Sequence, residues 1–186
     1  WGVRFLEEAR GLDYATAVMR SAAVPFGWII GCPLLGWISD RIGRRKPVIL
    51  GGGLVLGACL VWILFGPINV LPPYLLALIA GVASGAAMLP YTVIKEANPP
   101  QMGGTATGVI NFINFTFSAL LGPGFGSRLV QASQGGGANG LAEYKSAFKP
   151  LLYGILLTTI MRCWVKETGP AARGHYGASL PDPAVP

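Results

Sequence analysis

The 186-residue chain is 52% hydrophobic and only 12% charged, with a mean hydropathy of +0.53 and a formal net charge of +6, whereas soluble domains carry roughly 25% charged residues. These values exclude disorder, a coiled coil and a collagen-like fibre, and they argue against a water-soluble globule. The positive balance does not point to nucleic acid either, because the basic residues sit at the ends of apolar runs and not on one soluble face. Between Lys46 and Lys95, and again from Ala97 to Ser127, there is no Asp, Glu, Lys or Arg. The predicted fold class is therefore all-α, a polytopic membrane helix bundle embedded in a lipid bilayer.

The chain begins at Trp1, and no short apolar core follows a basic start, so residues 1–16 are not a signal peptide. They are expected to be an extracytoplasmic stub of a chain that starts mid-protein. A hydrocarbon core about 30 Å thick needs about 20 apolar helical residues, and five segments approach that: 17–38, 48–66, 71–94, 105–130 and 147–165. The fifth has its charge-free stretch only from Pro150 to Met161, and it reaches full length if Lys149 and Arg162 snorkel to the two interfaces. Basic residues crowd the 39–47 loop, recur at Lys95, and flank and follow the last span at Arg162, Lys166 and Arg173. That side is expected to be cytoplasmic, with residues 166–186 as its tail. Residues 1–16, 67–70 and 131–146 then lie on the opposite side.

Within the spans, the pairs Gly27/Gly31, Gly53/Gly57 and Gly81/Gly85 imply backbones packed closely against neighbouring helices, or surfaces that slide during function. Pro25, Pro33, Pro90 and Pro123 each remove an intrahelical donor and can bend a span. Cys32, Cys59 and Cys163 lie in or at the edge of apolar runs with no metal-ligand spacing, and read as inert thiols.

Between the first two spans stands Gly36-Trp-Ile-Ser-Asp40-Arg41-Ile-Gly43-Arg44-Arg45-Lys46, followed by Pro47. Gly36 leaves room for a neighbouring helix, Gly43 frees the turn, and Pro47 suits a first helical turn. Asp40 is a carboxylate at the membrane boundary beside four cations. It can pair with Arg41 or Arg44, or approach the positive N-terminal end of an adjacent helix.

The pattern GxxxDRxGRR closely resembles the signature loop of major facilitator superfamily transporters. Trp1-Gly-Val-Arg-Phe-Leu with Gly27-Trp28 and Gly31-Cys-Pro33 looks like the end of that family's seventh helix and its eighth. Glu96-Ala-Asn98-Pro99-Pro100 with Gly104-Thr105-Ala106-Thr107-Gly108 and Asn111-Phe112 looks like the tenth-to-eleventh junction, and Lys166-Glu167-Thr168-Gly169 like the exit from the twelfth. The resemblance implies a partial major facilitator fold with five transmembrane helices, whose N-terminal helix bundle is missing from this chain. It also implies that Gly36, Asp40, Arg41, Gly43, Arg44 and Arg45 form a conformational latch that holds the cytoplasmic side closed. The alternative is that the loop is only a positive-inside anchor.

On the fourth span Thr107, Asn111, Asn114 and Ser118 share one helical face. That stripe either lines a substrate path or acts as interhelical hydrogen-bonding glue; Tyr91, Tyr74 and Trp28 are further candidates for the path. Gly122-Pro123-Gly124-Phe125-Gly126 reads as a flexible outer end of that span, and Asn114-Phe-Thr116 as a chance sequon in mid-span. No carboxylate, lysine or histidine lies in the middle of a span, and His175 falls in the tail. The residues suggest no nucleophile-base set, phosphate-binding loop, metal cluster or cofactor, so an enzyme is disfavoured. The expected function is secondary active transport of a small-molecule solute by alternating access, in the cell membrane of a bacterium. The alternative is a non-transporting multi-span membrane protein or assembly subunit.

Overall fold

A computed structural model describes residues 1–67, 72–132, 140–162 and 164–171. Parts of the loops at 67–70 and 131–146, together with Cys163, Arg173, His175 and the rest of the tail, lie outside the described residues. The described residues form helices and turns, with no strand among them.

Helix α1 (Gly2–Arg4) runs directly into a π-helical turn, Phe5–Ala9. The predicted stub is thus helical, and it folds back on the bundle because Phe5 is apolar and only 4% exposed. Helix α2 (Tyr14–Ile42) is capped by Asp13, whose carboxylate accepts the Thr16 N–H at 3.0 Å. It continues through Pro25 and Pro33 and stops at Gly43, where φ is +69°, a conformation that costs glycine little. Its 29 residues extend about 44 Å, beyond the predicted 17–38 at both ends, because caps and not apolarity terminate it. Helix α3 spans Lys46–Phe65.

The predicted 71–94 span is one membrane-length segment, Tyr74–Glu96, in three parts. Helix α4 (Pro73–Ser84) tightens into a 3-10 turn, Gly85–Met88, and resumes as α5 (Leu89–Glu96). Pro90 has no N–H to give to the preceding turn, which accounts for the break. Helix α6 (Gly103–Ala132) runs through Pro123, and α7 spans Leu141–Met161.

Among the described residues four segments are long and apolar enough to cross a bilayer: Tyr14–Ile42, Lys46–Phe65, Tyr74–Glu96 and Pro100–Ala132. The fifth predicted span corresponds to α7, which has the length at 21 residues but begins six residues earlier than expected. Glu143 and Lys145 therefore join Lys149 inside the helix and lower its apolarity.

Helices α2 and α4 cross backbone to backbone. A Cβ on Gly27 would stand 2.3 Å from the Leu78 carbonyl, one on Gly31 2.2 Å from that of Val82, and one on Gly81 2.1 Å from that of Val24. The Gly53/Gly57 pair instead faces α7 at ordinary contact distance, near Arg162, Thr159 and Ile155. Buried side chains gather at the two ends of the bundle. Phe5, Leu64, Leu129, Tyr144 and Ala147 form one cluster, and Val48, Ile49 and Leu89 the other. Between them large apolar side chains point outward, Phe112 at 73% exposure among them, as helices solvated by lipid or by a second bundle require.

Candidate functional site: a buried arginine clasp

The 39–47 loop turns sharply because Gly43 is left-handed, with its N–H on the Asp40 carbonyl at 3.1 Å. The turn throws Arg45, at the N-terminus of α3, back over the last turn of α2. Arg45 is the only charged residue found buried among the described residues, at 6% exposure.

Its guanidinium makes four hydrogen bonds. Nη1 donates to Asp40 Oδ1 at 2.5 Å and to Ser39 Oγ at 3.0 Å, while Nη2 and Nε donate to the two oxygens of Glu96 at 2.7 and 3.3 Å. Ser39 in turn donates to the Arg44 carbonyl at 3.2 Å, so its hydroxyl is used both ways. One cation thus joins the end of α2 to the end of α5. The bidentate contact to Glu96 has the fork geometry that favours arginine over lysine. Glu96 raises the Arg45 pKa most, burial opposes it, and Asp40 adds to the rise, leaving it net raised.

The start of the tail closes the cluster. Glu167 accepts the N–H groups of Arg45 at 2.7 Å and Lys46 at 3.1 Å, so it caps the N-terminus of α3 from 122 residues away. Thr168 donates to Glu96 at 2.9 Å, and Ala171 N–H reaches the Gly43 carbonyl at 3.0 Å. Gly169 permits this crossing, since a Cβ there would lie 2.3 Å from the Gly43 carbonyl oxygen. Burial pushes the Glu167 carboxyl up, but the N–H groups of Arg45, Gly169, Lys46 and Thr168 outweigh it, and its pKa is lowered.

Several loop residues sit differently from expectation. The partner of Asp40 is Arg45, neither Arg41 nor Arg44. Arg41 is exposed and lies 5.3 Å over the ring of Trp37, while Arg44 is exposed and contributes its carbonyl. Gly36 has nothing within 4 Å of where its Cβ would be, so no helix among the described residues approaches it. The sequence alone does not mark Ser39, Glu167 or Thr168 as members of the clasp, and it offers Glu96 only as a boundary carboxylate that a proton-driven transporter could titrate. A signal exists for two of them. With only 8 acidic residues in the chain, a carboxylate at the boundary of an apolar run is rare and calls for a cation.

Of the path candidates, the structure brings Tyr91 and Asn111 together, with the Tyr91 hydroxyl donating to Asn111 Oδ1 at 2.8 Å and tying α5 to α6. Thr107 donates to the Gly103 carbonyl of its own helix at 2.8 Å. Asn114, Ser118 and Trp28 remain exposed. Among the described residues no group of His, Cys, Asp or Glu side chains is placed to hold a metal ion.

The profile of the Major Facilitator Superfamily matches residues 1–123, which include Asp40, Arg45 and Glu96. The chain belongs to the major facilitator superfamily. It is therefore a multi-pass membrane protein, in keeping with the four apolar spans among its described residues. Among characterised members it is similar to the gentisate transporter of Corynebacterium glutamicum, 28% identical over 109 residues that cover 58% of this chain and 24% of that protein. It is also similar to the membrane sensor protein UhpC of Escherichia coli, 26% identical over 126 residues covering 66% of this chain and 29% of the other. UhpC of Salmonella typhimurium is 25% identical over the same length. The chain spans about a quarter of the length of these relatives. No solved structure matches.

Proposed function

We propose that this superfamily member is the C-terminal part of a secondary active transporter that moves a small solute by alternating access. The Arg45 cluster is the latch that holds its cytoplasmic face closed. The observation that carries the reading is the buried guanidinium, which binds the ends of two membrane segments and, through Glu167 and Thr168, the tail. Opening that face separates these segments and leaves charges unpaired. Losing one partner of such a pair costs about 3–5 kcal/mol, within reach of the differential affinity a solute can supply. An anchor needs only positive charge, whereas here a carboxylate from α5 and one from the tail converge on the same loop.

In this reading the other wall of the path is an N-terminal helix bundle outside these residues. The Tyr91–Asn111 pair stands on this chain's side of the path, with Asn114, Ser118, Thr107 and Trp28 as neighbours on exposed faces. The similarity to a gentisate transporter makes aromatic carboxylates the first solutes to try. A second reading, a membrane sensor that binds a solute without carrying it, is favoured by the relatives named UhpC.

Solute counterflow in proteoliposomes separates the two. With the protein expressed from its own reading frame and a panel of aromatic acids inside the vesicles, exchange is expected, and Glu96→Gln slows it while leaving membrane insertion intact. Binding without exchange supports the sensor. Exchange that is unchanged in Glu96→Gln removes the latch.

A further inference from the structure

At the end of the bundle opposite the clasp lies a cavity of about 290 Å³, walled by the N-terminal segment, α2, α3, α4 and α7. Its lining is mainly apolar and includes Phe5, Leu64 and Phe148. It also contains Arg10, Arg20 and Ser21, and no carboxylate among the described lining residues. An apolar cavity of about 150 Å³ holds a benzene molecule, so this one has room for a ring and a polar substituent.

Two donors there lack an acceptor. Arg20 Nε and Ser21 Oγ, on consecutive residues of α2, are buried with no hydrogen-bond partner among the described residues. Arg10 reinforces the same sign of charge, its Nη2 donating to the Ile63 carbonyl at 2.6 Å and its guanidinium lying 5.6 Å over the ring of Phe5. The Arg20 guanidinium lies 5.7 Å over Tyr74, so an aromatic ring positions each cation. Arg20 is half-buried, but its Nε is fully buried, and buried donors are nearly always satisfied. Two orphaned donors lining one cavity that is cationic and otherwise greasy call for an occupant with an acceptor at one end and an apolar body at the other.

We propose that this cavity is a binding site for a small amphipathic organic anion, its apolar body among Phe5, Leu64 and Phe148 and its anionic group at Arg20, Ser21 and Arg10. The site stands independently of transport, since equilibrium binding reads it. The anion has two sources, a free carboxylate from solution or the head of an anionic phospholipid.

The test is calorimetric titration of the protein in phosphatidylcholine nanodiscs with benzoate, with benzamide as the neutral isostere and inorganic phosphate as the anion without an apolar body. Benzoate is expected to saturate, and the other two to bind at least about tenfold more weakly. Arg20→Gln weakens benzoate by about tenfold, Arg20→Lys restores part of the loss, and Ser21→Ala gives a smaller loss in the same direction. Repeating the titration in phosphatidylglycerol nanodiscs identifies the source. Competition that depends on Arg20 assigns the lipid headgroup, and unchanged benzoate affinity assigns the free solute. The proposal is overturned if benzoate does not saturate, which would leave water as the partner of the two donors, or if benzamide binds as tightly. It is also overturned if Arg20→Gln, or Ser21→Ala where Arg20→Gln does not fold, leaves the affinity unchanged. A protein that binds benzoate but exchanges no solute keeps this site and loses the transporter.

Discussion

Arg45 is shared by two carboxylates of unequal exposure, the Glu96 side chain at 13% and that of Asp40 at 66%, and that difference ranks the pairs. Water screens the Asp40 pair, for which about 0.2–1 kcal/mol is the ordinary range. The Glu96 pair is shielded and bidentate, so removing Arg45 takes the bidentate cation from a shielded carboxylate at a cost of about 3 kcal/mol. A double-mutant cycle on unfolding free energy in detergent, using Arg45→Gln with Glu96→Gln or Asp40→Asn, is expected to give a coupling severalfold larger for Glu96. Equal couplings would show that Asp40 is as well shielded as Glu96 when the bundle is in its membrane. The charges of this loop are legible in the sequence, and so is the special demand at Gly43. The identity of the central cation is not, because it depends on a reversal at Gly43 that swings Arg45 back while Arg41, one turn before it, stays with Trp37. Two of its acceptors, Glu96 and Glu167, lie 51 and 122 residues away, separations that no local spacing rule reaches.

Helices α2 and α4 meet where glycine removes every side chain, so the contact is between backbones. A methyl at Gly81 would press on the Val24 carbonyl and one at Gly31 on that of Val82, and neither carbonyl can rotate away as a side chain would. Gly81→Ala and Gly31→Ala are expected to destabilise by about 1–3 kcal/mol through forced separation of the helices. Gly36→Ala, which meets open space, is expected to be neutral or to stabilise by up to about 1 kcal/mol through helix propensity. Equilibrium unfolding in bicelles measures all three, and equal losses at the three positions would contradict the backbone contact. The glycine pairs are readable as close-packing signals, but a four-residue spacing marks a face without naming its partner. Gly27/Gly31 finds Gly81/Gly85, whereas Gly53/Gly57 finds α7. Helix ends are misjudged for a different reason. Apolarity marks where lipid is, whereas Asp13 and Gly43 mark where the backbone hydrogen bonds stop, and in α2 these boundaries differ by three and four residues.

The described parts of the molecule are joined at one end by a carboxylate that belongs to none of the long helices. Glu167 accepts four backbone N–H groups, two from the start of α3 and two from its own turn, so the docked tail depends on its ionised form. Burial raises its pKa and those N–H groups together outweigh that rise, for a net fall below the ordinary 4.5. The sign follows from linkage. A carboxyl with a depressed folded pKa contributes stability that is fully present above its unfolded value and is lost as pH falls through the folded one. Docking is therefore expected to be constant from neutral pH down to 4.5 and to weaken only at more acidic values. Asp40 and Glu96 share the cluster, so the variant that isolates Glu167 is Glu167→Gln. With a nitroxide at the exposed position Pro170 (Pro170→Cys), the wild-type spectrum is expected to be immobilised at neutral pH and to loosen below 4.5. Glu167→Gln should be loose already at pH 7, with its acid step removed or much reduced. A spectrum that stays immobilised in Glu167→Gln would assign docking to the Thr168–Glu96 and Ala171–Gly43 contacts alone. The cap on α3 would then be a consequence of the clasp and not one of its causes.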